Sequence, residues 1–156
     1  MEFRKIVEVE FVEYTEEALD KSWEWLNDSE IKHLTNTPDF DREMQRKWFE
    51  GLSKRDDYFI RAISTDDMLV GVCGIKNITK SDGEIWVYIG EKTLWGKTIG
   101  AQVADYLIKY GNKLKLKSLY IVCLKSNRAS RKNGSRFGFI YEKDINEDSI
   151  LMRLEL

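Results

Sequence analysis

Near Tyr58 the hydrophobic period of this chain turns from helical to strand-like, and that change limits what the chain can fold into. Before it, apolar residues recur at helical spacing: Ala18, Leu19, Trp23 and Leu26, then Met44, Trp48, Phe49 and Leu52. Thr15 and Asp41 stand where helix N-caps belong, which predicts helices over about Glu16–Leu26 and Asp41–Leu52. The stretch between them, Asn27 to Phe40, is polar and reads as irregular, with the sole histidine, His33, inside it. After the change, Tyr58–Ile63, Met68–Ile78 and Glu84–Ile89 read as strands, separated by turn clusters at Ser64–Asp67 and Ser81–Gly83. Connections this short make consecutive strands neighbours, so an antiparallel meander is expected. A long helix follows over about Thr98–Leu114, with Ile99, Val103, Leu107 and Tyr110 on its inner face. A strand at Leu119–Leu124, a short helix near Arg128–Lys132 and strands near Phe139–Glu142 and Ile150–Glu155 complete the chain. With an opening strand at Val7–Val12, the order is β-α-α-β-β-β-α-β-α-β-β.

No proline-rich or glycine-rich linker and no repeat interrupts this order, so residues 1–156 are expected to form one domain. Hydrophobic residues at 42% and charged residues at 33% suit a globular chain. The N-terminus alternates charged and apolar residues instead of carrying a secretory apolar block. No apolar run approaches the roughly 20 residues that span a bilayer. A cytoplasmic protein with no membrane partner is the expectation. A net charge of −2 supplies no strong positive field, so no nucleic-acid partner is expected either. Cys73 and Cys123 lie in apolar runs without Cys or His at ligand spacing; buried thiols are expected, and no metal.

The stretch richest in chemistry runs from Ile89 to Ala101. A strand ends, a loop carries Gly96 and Gly100, and a long helix begins. Free backbone N–H groups and the helix dipole favour an anion at such a junction, and Lys97 adds a positive charge. Gly90 to Thr98 looks like a nucleotide-triphosphate loop, but five residues separate Gly90 from Gly96 where that motif requires four. The remaining alternative is an ordinary helix start with incidental glycines.

Three motifs in order carry a resemblance to a known family. Trp95-Gly96-Lys97-Thr98-Ile99-Gly100 is similar to the coenzyme motif Q/R-x-x-G-x-G/A of GNAT acetyltransferases, with Trp95 and Thr98 as departures. Asn127-Arg128-Ala129-Ser130 followed by Gly138-Phe139 resembles the family's N-x-x-S/A and G-F pair at the family's spacing. Glu84-Ile85 through Ile89-Gly90 resembles a strand of the branch that acetylates ribosomal-protein N-terminal alanines, as does Trp-Gly-Lys. The resemblance covers nearly the whole chain. It implies an α/β (α+β) fold with a mixed, mostly antiparallel sheet flanked by helices. It also implies acetyl transfer from acetyl-CoA to a primary amine, either of a protein N-terminus or of a small molecule such as an amino sugar. A non-catalytic acyl-CoA-binding module is the alternative, and a homodimer is allowed.

The same resemblance assigns residues. Tyr88, Ile89, Gly90, Trp95, Gly96, Lys97, Thr98, Ile99, Gly100, Ala101, Asn127 and Ser130 would hold the coenzyme. A backbone N–H between Tyr88 and Gly90 would stabilise the thioester oxygen as it gains charge, unless ordinary sheet pairing uses it. Thr98 would cap the helix or donate to phosphate, and Asn127 would bond the pantetheine arm or serve as a plain helix cap. Many members place a general-acid tyrosine seven residues after the asparagine; Gly134 stands there, which passes the role to Ser130. An amine with a pKa near 10.4 needs a base at neutral pH. Glu84 is the candidate, against the alternative of a solvated turn residue, and His33 is the second candidate. Trp25 and Trp86 are either acceptor-pocket walls or core. Tyr141 is expected to pack, not to act in catalysis.

Overall fold

A computed structural model describes residues 7–156, so the alternation over residues 1–6 lies outside the described residues. The elements are β1 (Glu10–Val12), α1 (Glu16–Leu26), α2 (Ser29–Leu34), α3 (Arg42–Gly51), β2 (Phe59–Thr65), β3 (Met68–Lys76) and β4 (Asp82–Ile89). They continue with α4 (Ile99–Lys113), β5 (Ser118–Leu124), α5 (Arg128–Arg136), β6 (Ile140–Asp144) and β7 (Ser149–Glu155). Thr15 and Asp41 accept the N–H groups of Ala18 and Met44, as N-caps do.

The expected irregular stretch is corrected by α2. Asp28 caps it, accepting from the N–H groups of Glu30 and Ile31. Six residues with one buried side chain, Ile31, leave too short a periodic signal to read. At the other end, α5 runs on to Arg136, four residues past the expected end. Gly83 is a strand residue, not part of a turn.

The seven strands form one sheet in the order β1-β2-β3-β4-β5-β7-β6. Every pair is antiparallel except β4 with β5. The meander β2-β3-β4 is present, with β1 added at its edge. Alternate residues divide the core. Ile63, Cys73, Ile75, Ile85, Leu119, Ile121 and Cys123 meet Ile99, Val103 and Leu107 of α4 on one face. Ala62, Val72, Trp86 and Tyr88 meet Leu19, Trp25 and Ile31 of the first helices on the other. Both cysteines are buried and free, and burial pushes the Cys73 thiol up to about 12.

Candidate functional site

The parallel pair is short. Asp82, Gly83 and Glu84 face Ser118, Leu119 and Tyr120, and then the strands part. β4 continues five residues beyond its last partner and β5 four, with no strand between them. A wedge-shaped split therefore opens in the middle of the sheet, its apex at Glu84 and Tyr120.

Hydrogen-bond alternation decides which backbone groups face this split. Gly90 donates its N–H to the carbonyl of Val70 at 2.7 Å, so the even-numbered residues of β4 spend their backbone groups on β3. The N–H of Gly90 is thus unavailable to a ligand, and that of Tyr88, which shares its parity, faces β3 too; of the expected Tyr88–Gly90 segment only Ile89 keeps its N–H toward the split. The odd residues Val87 and Ile89 aim their N–H groups at the split. Ile89's carbonyl accepts the indole N–H of Trp95 at 2.8 Å. Trp95 therefore braces the loop against the strand end. Lys92 lies over its ring, 5.8 Å from the centroid, and pairs with Asp28 and Glu30, tying the loop to α2.

At the mouth of the split, the chain turns from β4 into α4. Gly96 has φ +77°, a conformation costly for any other residue, and a side chain there would meet nothing. Lys97 is exposed beside it. The Thr98 hydroxyl makes no cap bond to the first turn, contrary to one of its expected roles. The first-turn N–H groups of α4, those of Gly100 and Ala101 among them, have no intrahelical partner by geometry. Ile99 is 1% exposed and anchors the helix start in the core, so its side chain offers nothing to a ligand. Gly100 is held from behind, its carbonyl accepting Asn133 Nδ2 of α5 at 3.0 Å. Free N–H groups and the helix dipole at this junction favour an anion.

Glu84 sits at the apex. Its side chain is 13% exposed, 3.6 Å from Lys76 Nζ, and its Oε1 accepts Asn77 Nδ2 at 3.3 Å. It is therefore a half-shielded, hydrogen-bonded carboxylate and not a solvated turn residue. It shares a sheet face with Trp86 and Tyr88. Trp86 lies between Tyr58 and Tyr88, and its buried indole N–H has no partner. The Tyr88 hydroxyl donates to Ser22 Oγ at 3.1 Å, and burial raises its pKa.

Trp25 is 6% exposed. Its indole lies so close to Gly90 that a Cβ there would fall 2.0 Å from the ring. It is a packing residue, which corrects its assignment to the acceptor wall. His33 is on α2 and lines a cavity of about 550 Å³ with Leu124, Lys125, Ser126 and the Asn146–Ser149 turn. Eight of the nine lining residues are polar or charged, so this cavity suits a hydrophilic guest. Leu124 is four residues along β5 from Tyr120, roughly 13 Å at strand rise. Glu84 thus stands at the apex of the split, and the cavity that His33 lines reaches the far end of β5.

On the opposite face, Asn127 accepts the N–H of Ser130 at 3.2 Å and caps α5, leaving its amide NH₂ as a donor. Ser130 is half-buried and neighbours Cys123, whose thiol pKa is raised chiefly by burial. Gly134 is buried, and a Cβ there would come 2.8 Å from Ile121 Cδ1, so a side chain at this position would require Ile121 to shift. Tyr141 is 55% exposed on the edge strand β6 and donates to Asp144, so the expectation that it packs is corrected. Among the described residues no helix is long and apolar enough to cross a membrane, and no three His, Cys, Asp or Glu gather as a metal site.

The sequence model of the Acetyltransferase (GNAT) domain matches residues 8–140. No curated protein matches. Among solved structures, a domain from Methanocaldococcus jannaschii is 21% identical, with TM-score 0.85 over 96% of this chain and 99% of that one. The Campylobacter jejuni N-acetyltransferase PseH in complex with acetyl coenzyme A is 20% identical, with TM-score 0.72 over 96% and 99%. An acetyl transferase from Salmonella typhimurium that modifies the N-terminal serine of ribosomal protein L7/L12 is 17% identical, with TM-score 0.76 over 95% of each chain. At these identities the likeness is one of fold.

Proposed function

This chain belongs to the GNAT acetyltransferase family, and from that premise we propose that it moves an acetyl group from acetyl-CoA to a primary amine. The observation that carries the proposal is the split sheet: β4 and β5 part at Glu84 and Tyr120, and the open start of α4 stands at the mouth. The pyrophosphate rests on the N–H groups near Gly100 and Ala101, with Lys97 beside it. The pantetheine arm lies in the split, where the Asn127 amide and the backbone of Val87 and Ile89 offer polar partners. That PseH is described with acetyl coenzyme A supports this choice of substrate.

The chemistry follows from the two faces. Glu84, on the face of the first helices, takes the amine's proton directly or through a water. The neutral nitrogen attacks the thioester carbon, and the carbonyl oxygen gains negative charge. The N–H of Ile89 or Val87 is placed to stabilise that charge. The carbon–sulfur bond breaks, the departing sulfur takes a proton from Ser130 on the α5 side, and the proton that the nitrogen sheds on becoming an amide returns through solvent to Ser130. Ser130 is the candidate because Gly134 supplies no phenol.

The acceptor is hydrophilic on this account. The polar cavity under His33 favours a peptide N-terminus or an amino sugar over an apolar amine, and the action of the Salmonella relative on a protein N-terminus supports the first of these. The test is thiol release from acetyl-CoA against a panel of N-terminal peptides and amino sugars. Turnover with one class and none with apolar amines is the expected result. Tight acetyl-CoA binding without turnover on any amine would support a non-catalytic binding module instead.

A further inference from the structure

Helix α5 carries an uncompensated stripe of positive charge. Arg128, Lys132 and Arg136 recur every fourth residue, so they lie in one row along the helix. Like charges at this spacing repel, and Arg128 in the first turn also opposes the helix dipole. No acidic residue sits in α5 to offset them. Among the described residues none of the three forms an ion pair, although other lysines and arginines do. Arg131, beside Arg128 at the edge of the stripe, is occupied, donating to the carbonyl of Lys125 at 2.6 Å.

The stripe has a definite neighbour. Asn133 of α5 bonds Gly100 of the first turn of α4 at 3.0 Å, so the middle of α5 touches the proposed pyrophosphate site. Lys132 and Arg136 are one and three residues from Asn133. They flank its side of the helix, away from the buried Gly134. In coenzyme A the 3′-phosphate sits on the same ribose that carries the pyrophosphate. A group that recognises it must therefore stand beside the pyrophosphate site.

We propose that Lys132 and Arg136, extended by Arg128, bind the 3′-phosphate of the coenzyme and so select coenzyme A over nucleotides that lack it. The proposal rests on the acetyl-CoA reading above and adds the ribose phosphate as a recognised group. Charge-assisted contacts to phosphate are among the stronger hydrogen bonds, and at an exposed rim they weaken with salt.

The experiment is calorimetric titration of the whole chain with coenzyme A and with 3′-dephospho-coenzyme A. The parent should bind coenzyme A at least about tenfold more tightly, and the preference should shrink as salt rises from low to high. Lys132→Ala combined with Arg136→Ala should bind both ligands equally. Lys132→Arg combined with Arg136→Lys should keep the preference, and so should Arg131→Ala. Equal binding of both ligands by the parent, or an undiminished preference in the double alanine variant, overturns the proposal. It is overturned too if the double variant keeps the preference while an acidic acceptor peptide loses affinity, since the stripe is then a peptide dock. If the parent binds neither ligand, the coenzyme reading falls first and takes the proposal with it.

Discussion

The two walls of the split are built from different materials. The proposed coenzyme wall, from Ile89 to Ala101, is mostly backbone: a strand end braced by Trp95, a glycine in the left-handed region, and the open N–H groups of α4. The proposed acceptor wall is mostly side chain: Glu84 with Lys76 and Asn77, the Tyr58–Trp86–Tyr88 row, and a His33 cavity assembled from three distant segments. Backbone geometry constrains which residues can stand there, so the first wall can be shared among proteins that acetylate different things. Side chains are free to vary, so the second wall is where specificity resides.

The contrast predicts that lesions on the two walls fail differently, and Glu84→Gln should give the largest effect. If Glu84 is the base, kcat under single-turnover conditions should fall about 10²–10⁴-fold while acetyl-CoA affinity stays within about twofold. A fall of less than about threefold would return Glu84 to a structural role beside Lys76. On the other wall, Gly100→Glu should weaken acetyl-CoA binding by about a hundredfold, because it sets a carboxylate in the anion site. Gly100→Ala separates charge from fit. Its Cβ would lie 3.4 Å from Asn133, an ordinary contact, so folding should survive and binding should change little. Loss of stability in both variants would mean that the helix start is a packing feature.

Gly90→Ala tests the joint between the walls. The added methyl would strike the Trp25 indole at 2.0 Å, so the fold should lose about 3 kcal/mol in chemical denaturation, the upper end of overpacking costs. A loss under about 1 kcal/mol would show that Trp25 can move aside and is free to serve the acceptor side after all. The smallest effect should come from Trp95→Phe. It removes one indole bond to the Ile89 carbonyl and should cost about 1 kcal/mol of stability, with a modest loss of coenzyme affinity. An affinity loss above about thirtyfold would make Trp95 a direct ligand contact.

The same division explains what could be read from the sequence. The meander, the caps at Thr15 and Asp41, and the glycine-marked loop before α4 announce themselves through spacing, because turns and helix starts depend on local backbone rules. The split itself is foreseen only through resemblance, since no pattern within β4 or β5 records where two strands stop pairing. Helix α2 escaped because one buried residue in six makes no period, although Asp28 was a visible cap. Trp25 and Trp86 looked alike in sequence. Only packing distinguishes them: one is sealed against Gly90, and the other shares a face with Glu84. The orphaned Trp86 indole N–H has no counterpart in any local signal.

The central claim is that acetyl-CoA enters the split with its pyrophosphate on the start of α4. A crystal structure of the chain grown with acetyl-CoA tests this most directly. The account predicts pyrophosphate oxygens within about 3 Å of the Gly100 and Ala101 nitrogens, with the pantetheine arm running between β4 and β5 toward Glu84. A pyrophosphate bound elsewhere, or a split left closed to the arm while the ligand is bound, would contradict it.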